Sequence, residues 1–152
     1  MTERRSRTQL AADAWRAIFD FIGATARQRT RFLAELGLTV NDSRALSALG
    51  QEQGRTMRSL ADEWSCDAST ATFIVDRLEK KGLAERRSDP ADRRVRRVVL
   101  TGEGVRVRDE MLRRMYTPPP ELAALDRESL AALRDGVAHL PAAPPEGARR
   151  GR

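Results

Sequence analysis

The apolar pattern of this chain changes period at one residue, Gly82. Before it, Ala71, Ile74, Val75 and Leu78 recur at the spacing of a single helix face, and the helix they predict runs over residues 68–81. Asp67 precedes that helix as a residue able to accept from its free N–H groups, and Gly82 ends it. After Gly82, Leu83-Ala84-Glu85-Arg86-Arg87 and Val95-Arg96-Arg97-Val98-Val99-Leu100 read as extended segments. The cluster Ser88-Asp89-Pro90-Ala91-Asp92 between them is turn chemistry. A capped helix, a glycine stop and a basic hairpin in close succession leave few folds open.

The rest of the chain is helical by pattern. Leu10, Ala14, Ala17 and Phe21 start one long helix over residues 10–36, broadened by Trp15, Ile18, Phe19 and Ile22 and ended by Gly37. Asn41-Asp42-Ser43 is read as the cap of a second helix through Leu49, closed by Gly50 and Gly54, and a third, short helix spans residues 57–64. Thr101 caps a fifth helix carrying Val105, Val107, Met111, Leu112, Met115 and Tyr116, which must stop before Pro118-Pro119-Pro120. Leu130, Leu133, Val137 and Leu140 mark a sixth, capped near Asp126, and residues 141–152 read as a disordered tail rich in Pro, Gly, Ala and Arg. The fold class is therefore mainly α with a small β-hairpin: two short helices and a tight turn followed by a wing, the winged helix-turn-helix plan.

In that plan the second of the two short helices is the one that enters a DNA major groove. With Ala71, Ile74, Val75 and Leu78 inward, Ser69, Phe73, Asp76 and Lys80 fall on the opposite face, flanked by Thr70, Thr72 and Arg77. Hydroxyls near the helix N-terminus suit phosphates or base edges, and Thr methyls and Phe73 suit thymine methyls. The plain alternative is an amphipathic helix with a wet face. A second observation is needed to choose, and the hairpin supplies it. Arg86, Arg87, Arg93, Arg94, Arg96 and Arg97 crowd there against Glu85, Asp89 and Asp92, whereas the hairpin ends on Val98-Val99-Leu100. Such a run is usually a solvated charge cluster.

Charge and composition narrow the classes. A formal charge of +6, with 28 Lys+Arg against 22 Asp+Glu, favours an anionic partner. No apolar run approaches the ~18 residues of a membrane span, and Met1-Thr2-Glu3-Arg4-Arg5 leads into no unbroken apolar stretch of the signal-peptide kind. A cytoplasmic protein without membrane partners is the expectation. One cysteine, Cys66, excludes an internal disulfide and a Cys-rich zinc site, and one histidine, His139, leaves little for His-based catalysis. Neither a nucleophile elbow nor a phosphate loop nor metal-ligand spacing is present, so no enzyme, metal or cofactor is expected.

The segment SLADEWSCDASTATFIVDRLEKKGLAERRSDPADRRVRRVVLTGEG resembles the winged helix of the multiple-antibiotic-resistance regulators, the MarR family of bacterial transcription factors. The likeness is carried by Val75-Asp76-Arg77-Leu78-Glu79, Lys81-Gly82-Leu83, Glu85-Arg86, and Asp92-x-Arg94 followed by Leu100-Thr101 and Gly104. The resemblance implies one domain over residues 1–140. Residues 40–100 would be the DNA-binding winged helix-turn-helix, and residues 10–36 and 101–140 the dimerisation helices. It implies a homodimer that binds double-stranded DNA at a palindromic operator, most often as a repressor. A small, often aromatic, effector would bind between the dimer helices and the winged helix. It makes residues 68–81 the recognition helix, with Asp67, Ser69, Thr70, Thr72, Phe73 and Arg77 as its DNA-side residues. On the wing it puts Arg94 into the minor groove and gives Asp92 the task of holding the wing arginines, while Arg86, Arg87, Arg93, Arg96 and Arg97 are the basic neighbours, mostly meeting phosphates. A guanidinium suits a narrow, negative minor groove, so the physics agrees.

Other residues invite roles. Trp15, Phe19 and Phe21 are candidates to line a ligand pocket, although aromatic residues at helical spacing are more often core or interface anchors, as is Trp64. Cys66, just before the recognition helix, is expected to be a small packed residue rather than an oxidant sensor, and His139 a solvated or capping residue. A winged helix turned to protein binding would have no need of Arg94 and its basic neighbours, which is what separates that alternative from DNA binding.

Overall fold

A computed structural model describes residues 6–141; most of the expected tail, residues 142–152, lies outside the described residues. The chain opens with α1 (Arg7–Glu35), whose cap Ser6 accepts from the Gln9 N–H while the Gln9 side chain accepts from the Ser6 N–H. Gly37, at φ +67, turns the chain into α2 (Val40–Ala48). Then follow β1 (Arg55–Thr56), α3 (Met57–Glu63), α4 (Ala68–Lys80), β2 (Ala84–Ser88), β3 (Arg96–Leu100) and α5 (Gly102–Met115). A one-turn α6 (Pro120–Ala123) and α7 (Arg127–Ala138) complete the order.

The winged core is built from the middle of the chain. Leu46 of α2, Leu60 of α3, Val75 and Leu78 of α4, Val98 and Leu100 of β3 and Met111 of α5 are all fully buried in one cluster. Burying each such side chain stabilises the fold by about 1.5 to 3 kcal/mol. From α1 only Leu33 and Thr25 are buried, and α7 has no buried residue. The two helices thus project apolar side chains past the core: Leu10, Trp15, Phe19 and Ile22 from one, Leu133 and Val137 from the other.

Gly82 acts as read from the sequence. Its φ of +69 is left-handed, which an L side chain adopts only with strain, and its N–H closes on the Glu79 carbonyl at 2.8 Å. The wing that follows is antiparallel, with Arg86 opposite Val98 and Arg87 opposite Arg97. Val98, Val99 and Leu100 are all buried, and Val98 and Leu100 belong to the core cluster. Thr101 joins wing to α5: its hydroxyl donates to the Gly82 carbonyl at 2.6 Å and accepts from the Gly104 N–H at 3.0 Å. A Cβ on Gly104 would lie 1.8 Å from the Leu83 carbonyl oxygen, so this helix start can press on the wing only as glycine.

Three sequence expectations need correction. The sheet has three strands, in the order β1-β3-β2, because Arg55 and Thr56 pair with Val98 and Arg97. A two-residue strand is too short to show alternation. The cap of α2 is Thr39, not the Asn41-Asp42-Ser43 cluster: the Thr39 hydroxyl accepts from the Asp42 N–H and the Asp42 carboxylate accepts from the Thr39 N–H. The Pro118-Pro119-Pro120 run stops α5 as expected, but Pro120 also starts α6, since proline fits a first helical turn. Asp67, Thr101 and Asp126 cap α4, α5 and α7 as anticipated.

Candidate nucleic-acid interface

α4 presents its outer face through two supports. At its N-terminus the Asp67 carboxylate accepts from the Ser69 hydroxyl at 2.5 Å, the Thr70 N–H at 2.8 Å and the Thr70 hydroxyl at 3.0 Å. Those bonds, the Ser69 hydroxyl foremost, hold its pKa down to about 2, so the cap stays charged. The turn from α3 into α4 passes through Ser65 at φ +52. At the other end Asp42, fully buried, faces α4 from α2. Its Oδ1 accepts from Arg77 Nε at 2.9 Å and Nη2 at 2.6 Å, and its Oδ2 from Lys81 Nζ at 3.0 Å. Burial pushes its pKa up, but the Thr39 N–H, Arg77 and Lys81 outweigh that and hold it below the ordinary aspartate value. Arg77 also donates to the Thr39 hydroxyl, and Lys81 to the Gly37 carbonyl.

The inward residues Ala71, Ile74, Val75 and Leu78 are buried, and Ser69, Thr70, Thr72, Phe73 and Lys80 are exposed. Phe73 stands out at 65% exposure, with the Arg77 guanidinium 5.8 Å from its ring centre. Thr72 turns its hydroxyl back to the Ala68 carbonyl at 2.7 Å.

On the wing the arginines divide into two groups. Arg93, Arg94 and Arg96 are exposed at the hairpin tip, and their guanidinia have no partner among the described residues. The others are engaged within the protein. Arg86 is half-buried between β2 and α4, donating to Asp76 Oδ1 at 2.7 Å and to Glu79, whose carboxylate also accepts the Arg86 N–H at 3.1 Å. Arg87 pairs with Glu85. Arg97 donates to Asp89 and, at 3.1 Å, to the Gly54 carbonyl.

This division revises the expected role of Asp92. Its carboxylate accepts the Arg94 backbone N–H at 2.9 Å, a turn-forming bond, and reaches no wing guanidinium. Among the carboxylates of the connecting loop, the one that holds a wing arginine is Asp89, which is buried. The hydrogen bond from Arg97, with one from the Ala91 N–H, lowers its pKa. Arg77 and Arg86, expected on the DNA side, also join α4 to α2 and to the wing. The sequence shows that opposite charges are near, but not which pairs the fold brings within reach.

A cleft of about 390 Å³ lies between α1 and the end of α5. Phe21, Phe32, Met115 and Pro119 give it apolar walls, and Arg29, Arg113 and Arg114 line it too. Of the three aromatics expected to form a pocket, only Phe21 lines this one. Trp15 and Phe19 are each 64% exposed on the projecting half of α1, their rings 6.2 Å apart. A second cleft between α2 and α3 shares Met115 and is lined by Trp64, whose buried indole N–H has no partner among the described residues. No helix among the described residues is long and apolar enough to cross a membrane.

Comparison with known proteins agrees with this architecture. The sequence model of the MarR family matches residues 36–95, the segment running from α2 through the wing tip. The uncharacterized HTH-type transcriptional regulator YsmB of Bacillus subtilis is 34% identical over 122 residues, covering 74% of this chain and 84% of its own. The crystal structure of YusO from Bacillus subtilis superposes with a TM-score of 0.73 at 24% identity, covering 88% of this chain and 96% of that one. The MepR–DNA complex of Staphylococcus aureus superposes at 0.60 and 20% identity, covering 82% and 99%. With its glycine-stopped α4, three-stranded wing and flanking helices matched to regulators of this kind, the chain belongs to the MarR family.

Proposed function

We propose that this chain is a DNA-binding transcriptional regulator that acts as a homodimer, occupying a palindromic operator as a repressor. The observation that carries the reading is the state of the wing-tip arginines. Arg93, Arg94 and Arg96 are exposed on the hairpin with no ion-pair partner among the described residues, whereas Arg86, Arg87 and Arg97 are each paired with a carboxylate. A hairpin that merely carried solvated charge would have no reason to pair its root and leave its tip free. A minor-groove or phosphate contact needs that free tip. Ser69, Thr70, Thr72 and Phe73 face outward from α4 beside it and would lie in the major groove. The HTH-type transcriptional regulator YsmB and the MepR–DNA complex matched above support the same assignment.

In this reading residues 10–36 and 101–140 supply the dimer interface and residues 40–100 the DNA-binding unit. A small aromatic effector would enter the cleft beside Phe21 and Met115, a residue that also lines the second cleft against α2 and α3, and shift the spacing of the two recognition helices. Coupling of that kind is typically worth ~1 to 3 kcal/mol. Selection of duplexes from a random pool by the full chain tests the proposal. A palindromic sequence is the expected result; a pool that stays unenriched would sink it.

A further inference from the structure

We infer that Phe73 is the side chain through which α4 selects its sequence, and that it does so by packing on the C5-methyl group of a thymine in the major groove. The inference rests on the DNA-binding reading above and goes beyond it by naming the chemical group recognised.

α4 has few hydrogen-bonding groups left with which to read bases. The acceptor edge of guanine calls for hydrogen-bond donors, and adenine for a donor and acceptor pair. Most donors of α4 are already engaged inside the protein. The Ser69 and Thr70 hydroxyls donate to Asp67, the Thr72 hydroxyl donates to the Ala68 carbonyl, and Arg77 gives its Nε and Nη2 to Asp42 and Thr39. Asp76 and Glu79 are acceptors, and Arg86 takes both oxygens of Glu79 and Oδ1 of Asp76. Lys80 is exposed, but it lies in the last turn of the helix, about two turns beyond Phe73.

What α4 does offer, at the centre of its outer face, is an aromatic ring with 65% of its surface in water. The ring is directed as well as exposed. The Arg77 guanidinium lies 5.8 Å from its centre, and that guanidinium is anchored by fully buried Asp42, so a fixed charge holds the ring in place. An apolar group ordered before contact loses less entropy on binding. Among the four DNA bases thymine alone presents a methyl group in the major groove, which is the apolar complement to such a ring.

Uracil keeps every hydrogen-bonding group of thymine and lacks only the methyl, so it isolates this contact. A duplex selected from a random pool by the native chain is rebuilt with deoxyuridine at one thymine at a time, and binding is titrated with native protein, Phe73→Ala and Phe73→Leu. The expected result is a weakening of about fourfold per methyl removed at one thymine in each half-site. Phe73→Ala should bind the thymine and uracil duplexes equally, and Phe73→Leu should keep part of the preference. Native protein indifferent to uracil at every position overturns the inference while leaving DNA binding intact, as does a Phe73→Ala protein that keeps the full uracil penalty. A pool that yields no duplex overturns the DNA-binding reading, and this inference with it.

Discussion

Asp42 and Arg77 stand 35 positions apart in the chain, yet the Arg77 guanidinium reaches one Asp42 oxygen through both Nε and Nη2, and the carboxylate has no exposed surface. The pair joins α2 to α4, with Lys81 on the second oxygen and Thr39 closing the cap. Without Asp42, α2 loses its capping partner, and Arg77 and Lys81, each about a third exposed, turn to water. Asp42→Ala is therefore expected to lower stability by about 1.5 to 3 kcal/mol, read as a shifted midpoint in urea denaturation. The pH dependence has a definite sign. Asp42 titrates below the ordinary 3.8 in the folded chain, so its contribution is complete above that value and is lost as pH falls through the lower folded pKa. Native protein should lose stability on acidification below about pH 4 more steeply than Asp42→Ala. Equal slopes for the two proteins would remove Asp42 as the cause.

The split among the wing arginines predicts two kinds of variant. Arg94→Ala removes a free tip guanidinium, so melting should be unchanged while operator binding weakens by about 1 to 3 kcal/mol, with less preference for A·T at the outer edge of each half-site. Arg86→Ala breaks the link from β2 to Asp76 and Glu79, so it should lower the melting temperature as well as weaken binding. Thermal melts and binding titrations at two salt concentrations separate them. An Arg86→Ala protein that melts like native and loses only one unit of salt slope would return Arg86 to a simple phosphate contact.

The two wing carboxylates also part ways. An asparagine at position 92 still presents an oxygen to the Arg94 N–H, so Asp92→Asn should leave melting temperature and operator affinity close to native. Asp89→Asn takes the charge from Arg97, which ties the loop to the Gly54 carbonyl, and should lower the melting temperature and weaken operator binding. Melting curves and titrations of the two variants side by side decide this. The reverse order would restore Asp92 as the residue that organises the wing.

The pattern of these residues shows what the sequence could and could not convey. The change of period at Gly82, the caps Asp67 and Thr101, and the inward stripe of α4 are local features, each set by residues within one or two turns, and they were readable. The pairing of Asp42 with Arg77 and Lys81, or of Glu79 with Arg86, depends on where separate elements meet, and charge counting alone assigns those arginines to DNA. Strand β1 was hidden for the same reason, since two residues owe their extended pairing to β3 rather than to any pattern of their own. Trp15 and Phe19 sit on the expected helical stripe, but the stripe extends beyond the core that would have covered them.

That uncovered stripe leads to the assembly. Along the projecting half of α1, Leu10, Trp15, Phe19 and Ile22 are exposed, as are Leu133, Val137 and Leu140 at the other end of the chain. Large contiguous apolar surfaces are rare on monomers, and a two-fold dimer buries the same patch on both subunits at once. The expected species at micromolar concentration is a dimer whose contacts come from α1, α5 and α7, with the winged core left free. Leu133→Glu and Val137→Glu together place charge on the exposed face of α7, where no described residue is buried, so each protomer should keep its fold. Sedimentation should then show a monomer with native helical content and much weaker operator binding, since two linked half-sites gain affinity from being held together. If the double variant still sediments as a dimer, the interface lies elsewhere; if the native chain itself sediments as a monomer, the exposed stripe has no second copy to cover it.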